Sequence, residues 1–262
     1  MSAAAIAGSE CLDARRIEEA GLNALQTQRQ LFYDGWLLRV SAGKAKRARS
    51  VNAHFGSTLP LEQKIRHCEK VFSQHGLPIL FRMTPFSRPA GLEAALAARG
   101  YVAFEETLVQ ARALEGAPDV PECGSGTTIA APEAQAFVEA VADLRQSTPE
   151  QRDAHFERLL HSPLGKRFVV VREGARVVCT AQVAIEDQLA GIYDVVTAED
   201  ARGRGYATLA CAWLLSWAWQ HGTHAAYLQV SADNAAALAI YRKLGFATLY
   251  TYHYRGMPGG CE

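Results

Sequence analysis

The 262-residue chain has no run of about 18 uninterrupted apolar residues, so no membrane-spanning helix is expected. It also lacks net charge. Its 27 basic side chains balance 27 acidic ones, and no global field draws it toward nucleic acid or a lipid surface. The opening residues Met1-Ser2-Ala3-Ala4-Ala5-Ile6-Ala7 have no basic start and are too short for a secretion signal. The six cysteines, at 11, 68, 123, 179, 211 and 261, form no C-x-x-C pair, which argues against a disulfide framework or a zinc site. No two histidines have convincing metal-ligand spacing, so no metal is expected. Together these absences predict a cytoplasmic protein with reduced thiols and with neither nucleic acid nor membrane among its partners.

Hydrophobic periodicity and turn residues divide the chain into two halves. In the first, helical spacing over residues 10–30 precedes a hairpin, Trp36–Val40 against Arg49–Asn52, across a basic turn. A helix starting at Pro60, a strand at Ile79–Met83, a helix stopped by Gly100 and an extended stretch from Tyr101 to Arg112 follow. Residues 116–126 are polar and rich in Pro and Gly, and read as a linker between a domain at 1–115 and another at 127–262. The second half reads β-α-α-β-β-β-α-β-α-β, an α/β fold with a mixed sheet and helices on its faces. An internal echo joins the halves: Leu96-Ala97-Ala98-Arg99-Gly100-Tyr101 resembles Tyr241-Arg242-Lys243-Leu244-Gly245-Phe246, each before a strand.

The most informative segment is Arg202-Gly203-Arg204-Gly205-Tyr206-Ala207-Thr208. A β-branched strand ends just before it and an apolar helix begins within it. A strand, a glycine turn and a helix N-terminus leave free N–H groups and partial positive charge where an anion can sit. The P-loop pattern is excluded because it needs a lysine that is absent. The dinucleotide fingerprint is excluded by Thr208 at its sixth position and by the lack of an acidic residue about 20 residues on. The pattern [QR]-x-x-G-x-[GA] is satisfied by Arg202, Gly205 and Ala207. Downstream, Asn234, Ala237, Tyr241, Gly245 and Phe246 complete N-x-x-A-x-x-x-Y-x-x-x-G-F.

With both motifs in place, the chain resembles the GNAT family, the N-acetyltransferases that use acetyl-coenzyme A. The close resemblance covers roughly residues 165–257; the first half matches faintly, as a degenerate copy in a tandem form. Ser57-Thr58-Leu59-Pro60-Leu61-Glu62 stands there in place of the glycine turn. The resemblance implies a GNAT-like acyltransferase fold and acetyl transfer from acetyl-CoA to a primary amine of a small molecule, by direct attack in a ternary complex. It implies that the pyrophosphate lies on the amides of Arg202, Gly203, Arg204, Gly205, Tyr206, Ala207 and Thr208. It further implies that Asn234 and Ala237 line the cofactor, and that backbone N–H groups at Val195 and Val196 polarise the thioester oxygen. Tyr241 is then the acid that protonates the departing thiolate. A phenol with pKa near 10 suits a nascent thiolate near 8.5.

The base that takes the ammonium proton is less determined. Asp194 is the first candidate, an acid in the middle of a β-branched strand beside the cradle. Alternation places it with Ile192 and Val196, opposite Tyr193 and Val195. A structural hydrogen-bond acceptor is an equal reading of Asp194; Glu186 and a water relay are the other candidates. Glu199 departs from the family, in which many members carry proline at that place. Substrate contacts are sought in Gln146, His155, His161, Tyr250, Tyr252, His253 and Tyr254, most of which read as ordinary packing. Trp213, Trp217 and Trp219 make the helix after the cradle apolar nearly all round, which predicts contact with the sheet and with another domain or subunit; a homodimer is one form of this. The run Lys44-Ala45-Lys46-Arg47-Ala48-Arg49 reads as a solvated hairpin tip, with a grip on the adenosine 3′-phosphate, an acidic substrate or RNA as the functional readings. Rival functions are a peptide or protein N-terminal acetyltransferase and a non-catalytic acyl-CoA sensor.

Overall fold

The computed structural model describes residues 12–41 and 45–260. The opening segment Met1–Ala7, Cys11, Lys44 and Cys261 lie outside the described residues. The first half contains α1 (Ala14–Asn23), β1 (Gln30–Tyr33), β2 (Trp36–Arg39), β3 (Val51–Asn52), α2 (Leu61–Gln74), β4 (Leu80–Met83), α3 (Leu92–Ala98) and β5 (Val102–Ala113). The second contains β6 (Thr127–Ala130), α4 (Ala134–Arg145), α5 (Pro149–Leu160), β7 (Gly165–Glu173), β8 (Arg176–Glu186), β9 (Leu189–Thr197), α6 (Tyr206–Gln220), β10 (Ala225–Ser231), α7 (Ala235–Lys243) and β11 (Ala247–Gly256). The fold is mixed α/β. The first helix is shorter than its periodicity suggested, because Asp13 caps its start, accepting from the Arg16 N–H at 2.8 Å, and the chain turns into β1 soon after it.

Among the described residues the strands form one sheet in the order β1-β2-β3-β4-β11-β5-β10-β9-β8-β7-β6. The order shows how the halves are joined. In the first, β3 and β4 run parallel across the crossover helix α2, and α3 leads to β5. In the second, β9 and β10 run parallel across α6, and α7 leads to β11. The last strands are exchanged. β5 pairs antiparallel with β10 of the second half, and β11 pairs antiparallel with β4 of the first. Between them β5 and β11 pair with each other and close the sheet. The segment 116–126 carries no strand or helix, yet the sheet crosses from one half to the other, so neither half keeps its full sheet without its partner.

Apolar side chains cover both faces. On one, Leu209, Ala210, Leu214, Leu215 and Ala218 of α6 pack on Val169, Val171, Cys179, Ala181, Val183 and Ile192. Leu214 and Leu215 are fully buried, each contributing about 2 kcal/mol by area. On the other face Ile17 and Ala20 of α1 lie over Tyr193, Tyr227 and Tyr250, while Phe137 and Val141 of α4 cover Val170. The outer tryptophans of α6 are half-buried. His221 stacks on Trp217 at 4.0 Å, and Arg167 lies 5.9 Å from both Trp213 and Trp217. Their cover therefore comes from the same half of the chain. Cys68, Cys179 and Cys211 are buried free thiols; burial raises the Cys179 pKa to about 11.

Candidate functional site

The site opens where the sheet splits. β9 and β10 are paired only from Leu189 with Ala225 to Ile192 with Leu228. Beyond that point they diverge, and a cavity of about 900 Å³ fills the gap. A bulge in β9 sharpens the divergence. On β8, Thr180 faces Val196 and Gln182 faces Tyr193, so Asp194 and Val195 share the space of one partner. Asp194 takes φ +48°, and Val195 has no cross-strand partner on either side.

The bulge overturns the simple alternation expected for Asp194. Ile192 packs toward α6, whereas the Asp194 carboxylate turns to the opposite side, toward α4 and α5. There it lies 2.8 Å from Arg145 Nη1 and 3.0 Å from His155 Nε2, and it accepts a hydrogen bond from Gln182 Nε2. Burial would raise its pKa. Arg145, His155 and Arg158 outweigh burial and hold it well below the usual carboxylate range. Lys166 is pushed down to about 8, chiefly by burial, against the pull of Asp194. Glu186, the second candidate base, sits at the far end of β8. It pairs with Arg16 at 2.6 Å and accepts from Asn23, and it does not line the cavity.

The glycine turn forms one wall. Gly203 and Gly205 adopt φ +76° and +85°, a region that L side chains rarely occupy. The first α6 hydrogen bond runs from Leu209 N–H to Gly205 O at 3.0 Å. Among the described residues the N–H groups of 203–208 have no intramolecular acceptor, and they cluster at the positive end of α6. Arg202, Gly203, Gly205, Tyr206, Ala207 and Thr208 line the cavity. Arg204 does not. Its guanidinium turns back to Glu173, at 2.9 Å for Nη1, and the Tyr206 hydroxyl donates to the same carboxylate at 2.6 Å. Arg204 thus fixes the turn on β7, and the cation of the turn that lines the cavity is Arg202, which is largely exposed.

Opposite the turn, Asn234 caps α7 by accepting from Ala237 N–H at 3.1 Å, and both residues line the cavity. Two turns on, Tyr241 projects into the same space, 8% exposed. Its ring meets Phe246 edge-on at 6.1 Å, and burial, with the thiols of Cys211 and Cys179 nearby, raises its pKa. Val195 and Val196 complete the gap.

The corresponding junction of the first half is filled from within. The Asp34 carboxylate accepts from Thr58 N–H at 2.9 and 3.0 Å and from Leu59 N–H at 2.9 Å, which lowers its pKa. Lys64 pairs with it at 3.2 Å and lies 4.1 Å over the Trp36 ring. These amides have their anion already.

Several expected contacts resolve into packing. Tyr250 donates to Glu18 at 2.6 Å, Tyr252 to Gln229 at 3.0 Å, and His253 pairs with Glu93. Gln146 and His161 end α4 and α5. His155 is the exception, since it reaches Asp194. Sequence reasoning missed Arg145, Arg158 and Gln182. Only Arg158 carried a signal, three residues after His155 and hence on the same helix face.

Comparison with known proteins agrees with this geometry. Residues 135–246 match the model of the acetyltransferase (GNAT) family. The uncharacterized N-acetyltransferase YobR of Bacillus subtilis (strain 168) is 27% identical over 248 residues, covering 93% of this chain and 98% of that one. A GCN5-related N-acetyltransferase from Kribbella flavida superposes with a TM-score of 0.69 at 22% identity, over 94% of this chain and 96% of the other. A tandem GNAT protein from the clavulanic acid biosynthesis pathway superposes with a TM-score of 0.60 at 15% identity, over 74% and 68%.

Proposed function

We propose that this chain, whose residues 135–246 match the GNAT family model, is an acetyltransferase of that family and transfers an acetyl group from acetyl-CoA to the primary amine of a small molecule, by direct attack in a ternary complex. The observation that carries the reading is the row of unpaired amides at 203–208, facing a cavity that continues through the split sheet to the opposite face. Acetyl-CoA would supply the activated acyl group as a thioester. The amides of 203–208 fit its diphosphate, Arg202 beside them offers further charge for phosphate, and Asn234 and Ala237 line the same cavity. The amide of Val195, outside the strand ladder, fits the thioester oxygen.

In the reaction the neutral amine nitrogen bonds to the acyl carbon, the carbon–sulfur bond breaks, Tyr241 gives its proton to the sulfur, and the proton that the nitrogen sheds on becoming an amide restores the phenol. The ammonium proton must leave earlier. Asp194, ionised and already held by Arg145, His155 and Gln182, is a weak acceptor for it, so we assign Asp194 to positioning and proton removal to a water relay. The halves act as one enzyme with one working cradle, the first half supplying strands and a wall of the cavity.

The test is calorimetric binding of acetyl-CoA, followed by thiol release with small amines and with peptides bearing free N-termini. Saturable binding with turnover on small amines is expected. Turnover on peptides alone would replace the acceptor, and binding without turnover would make the protein a sensor. A Cβ at Gly205 meets no atom within 4 Å, so Gly205→Ala acts through φ alone. At roughly 1–2 kcal/mol for the left-handed region, acetyl-CoA affinity should fall about tenfold.

A further inference from the structure

The cavity end remote from the cradle is partly walled by the first half, through Ala24, Leu25, Ala45 and Arg47. Arg47 stands out. Its guanidinium lies 5.6 Å over the Tyr193 ring, and its buried Nη1 makes no hydrogen bond. The groups around it are the phenols of Tyr193, Tyr252 and Tyr254 and a second cation, Arg82, whose charge is taken by Glu18. No carboxylate of a described residue forms an ion pair with Arg47. A half-buried guanidinium with a buried, unpartnered nitrogen and no acid is costly, and here it faces a cavity instead of the core.

The surrounding charge has the same sign. Arg158, on α5, lines this end and spends Nη1 on Ala154 O at 3.0 Å. Arg145 lines it too, and Asp194, the one carboxylate among the residues lining the cavity, is already its partner. Arg47, Arg145 and Arg158 therefore line the end where the acceptor must enter, with Asp194 the one carboxylate among the lining residues; Arg152, on the same lining, pairs outward with Asp153 at 3.1 Å. A plain ammonium would meet a positive wall. An amine with its own oxyanion would neutralise that wall, and the same field would favour loss of the ammonium proton.

We propose that the acetyl acceptor is an amine that also carries an oxyanion, carboxylate or phosphate, and that Arg47 and Arg158 receive that group. The inference rests on the acetyl-transfer reading and narrows its substrate. The guanidinium fork suits both oxyanions, which the test separates. It also gives the first half a direct part in acceptor choice.

The test measures acetyl-CoA-dependent thiol release on matched acceptors: L-amino acids against their C-terminal amides, and 2-aminoethyl phosphate against ethanolamine. The anionic member of a productive pair should be favoured about tenfold or more in kcat/KM, as one charge-assisted contact worth roughly 1.5–3 kcal/mol requires. Arg47→Gln should raise KM for that acceptor by about the same factor, with kcat and acetyl-CoA affinity nearly unchanged and the uncharged partner unaffected. Arg158→Gln provides the same reading should Arg47→Gln fail to fold. Preference for amides or ethanolamine, or an unmoved KM in the variants, overturns the proposal. If acetyl-CoA binds and no anionic acceptor in the panel is acetylated, the acceptor class is wrong and the cofactor site stands. If acetyl-CoA does not bind, both fall.

Discussion

Tyr241→Phe is expected to lower kcat by about 100-fold or more, the range of a general acid, and to leave acetyl-CoA affinity within about twofold. The substitution removes one oxygen from a side chain whose ring contacts are apolar, so the packing against Phe246 survives. The hydroxyl makes no hydrogen bond to a described residue, and its loss leaves no protein group unsatisfied. Burial raises its pKa, so the phenol stays protonated across the physiological range and a proton is always available. Two measurements decide the matter together: stopped-flow or steady-state thiol release, and calorimetric affinity. A variant with full turnover would remove Tyr241 from the chemistry, and one with lost affinity and intact kcat would make it a binding group.

Most elements were legible because their signals are local. Thr148 and Pro149 announce α5, and the structure completes the capping box, Thr148 accepting from Gln151 N–H and Gln151 from Thr148 N–H. Gly100, at φ +85°, ends the turn after α3 where the sequence puts it. The strand exchange was not legible. β5 and β11 each follow a helix and a glycine turn, nothing local ties either to the edge of β4 or of β10, and pairing is chosen by global packing. The repeated helix-Gly-aromatic ending suggested a kinship of the halves and was silent about which half each final strand joins.

The glycine-turn side of the cavity was likewise legible, since a glycine turn and the spacing from Asn234 to Tyr241 are contiguous features that the structure brings to one cavity. The far end of the cavity was not. Asp194 was visible as an acid in an apolar strand, but its side depends on a bulge, and its partners come from two other helices. Alternation fails after one inserted residue. Arg47 belonged to a basic run that reads as a solvated tip. The fold sorts that run residue by residue: Lys46 pairs with Glu105 at 2.8 Å, while Arg47 enters the cavity.

Glu18→Gln should destabilise the protein by about 3–5 kcal/mol at neutral pH, the cost of removing one partner from a buried ion pair. Glu18 and Arg82 are 3% and 1% exposed. The carboxylate binds Arg82 through both oxygens, lies 3.1 Å from His54 Nε2 and accepts from Tyr250 at 2.6 Å, which ties α1 to β4 and β11. Burial opposes its ionisation, but Arg82 and His54 prevail and its pKa is depressed. A depressed carboxyl contributes stability that is present above its unfolded pKa, near 4.3, and fades as pH falls below it toward the folded value. The gap between wild type and variant, read from urea unfolding at pH 7, 5 and 3.5, should therefore be constant from 7 to 5 and narrow at 3.5. A gap under about 1 kcal/mol, or one independent of pH, would mean that Arg82 finds water or another acceptor. Ala24 and Leu25 follow α1 into the cavity wall, and Arg39 holds Leu22 O at 2.8 Å and Leu25 O at 3.2 Å. Loosening α1 should therefore also raise KM for the acceptor while sparing acetyl-CoA affinity, because the cradle lies on the opposite face of the sheet.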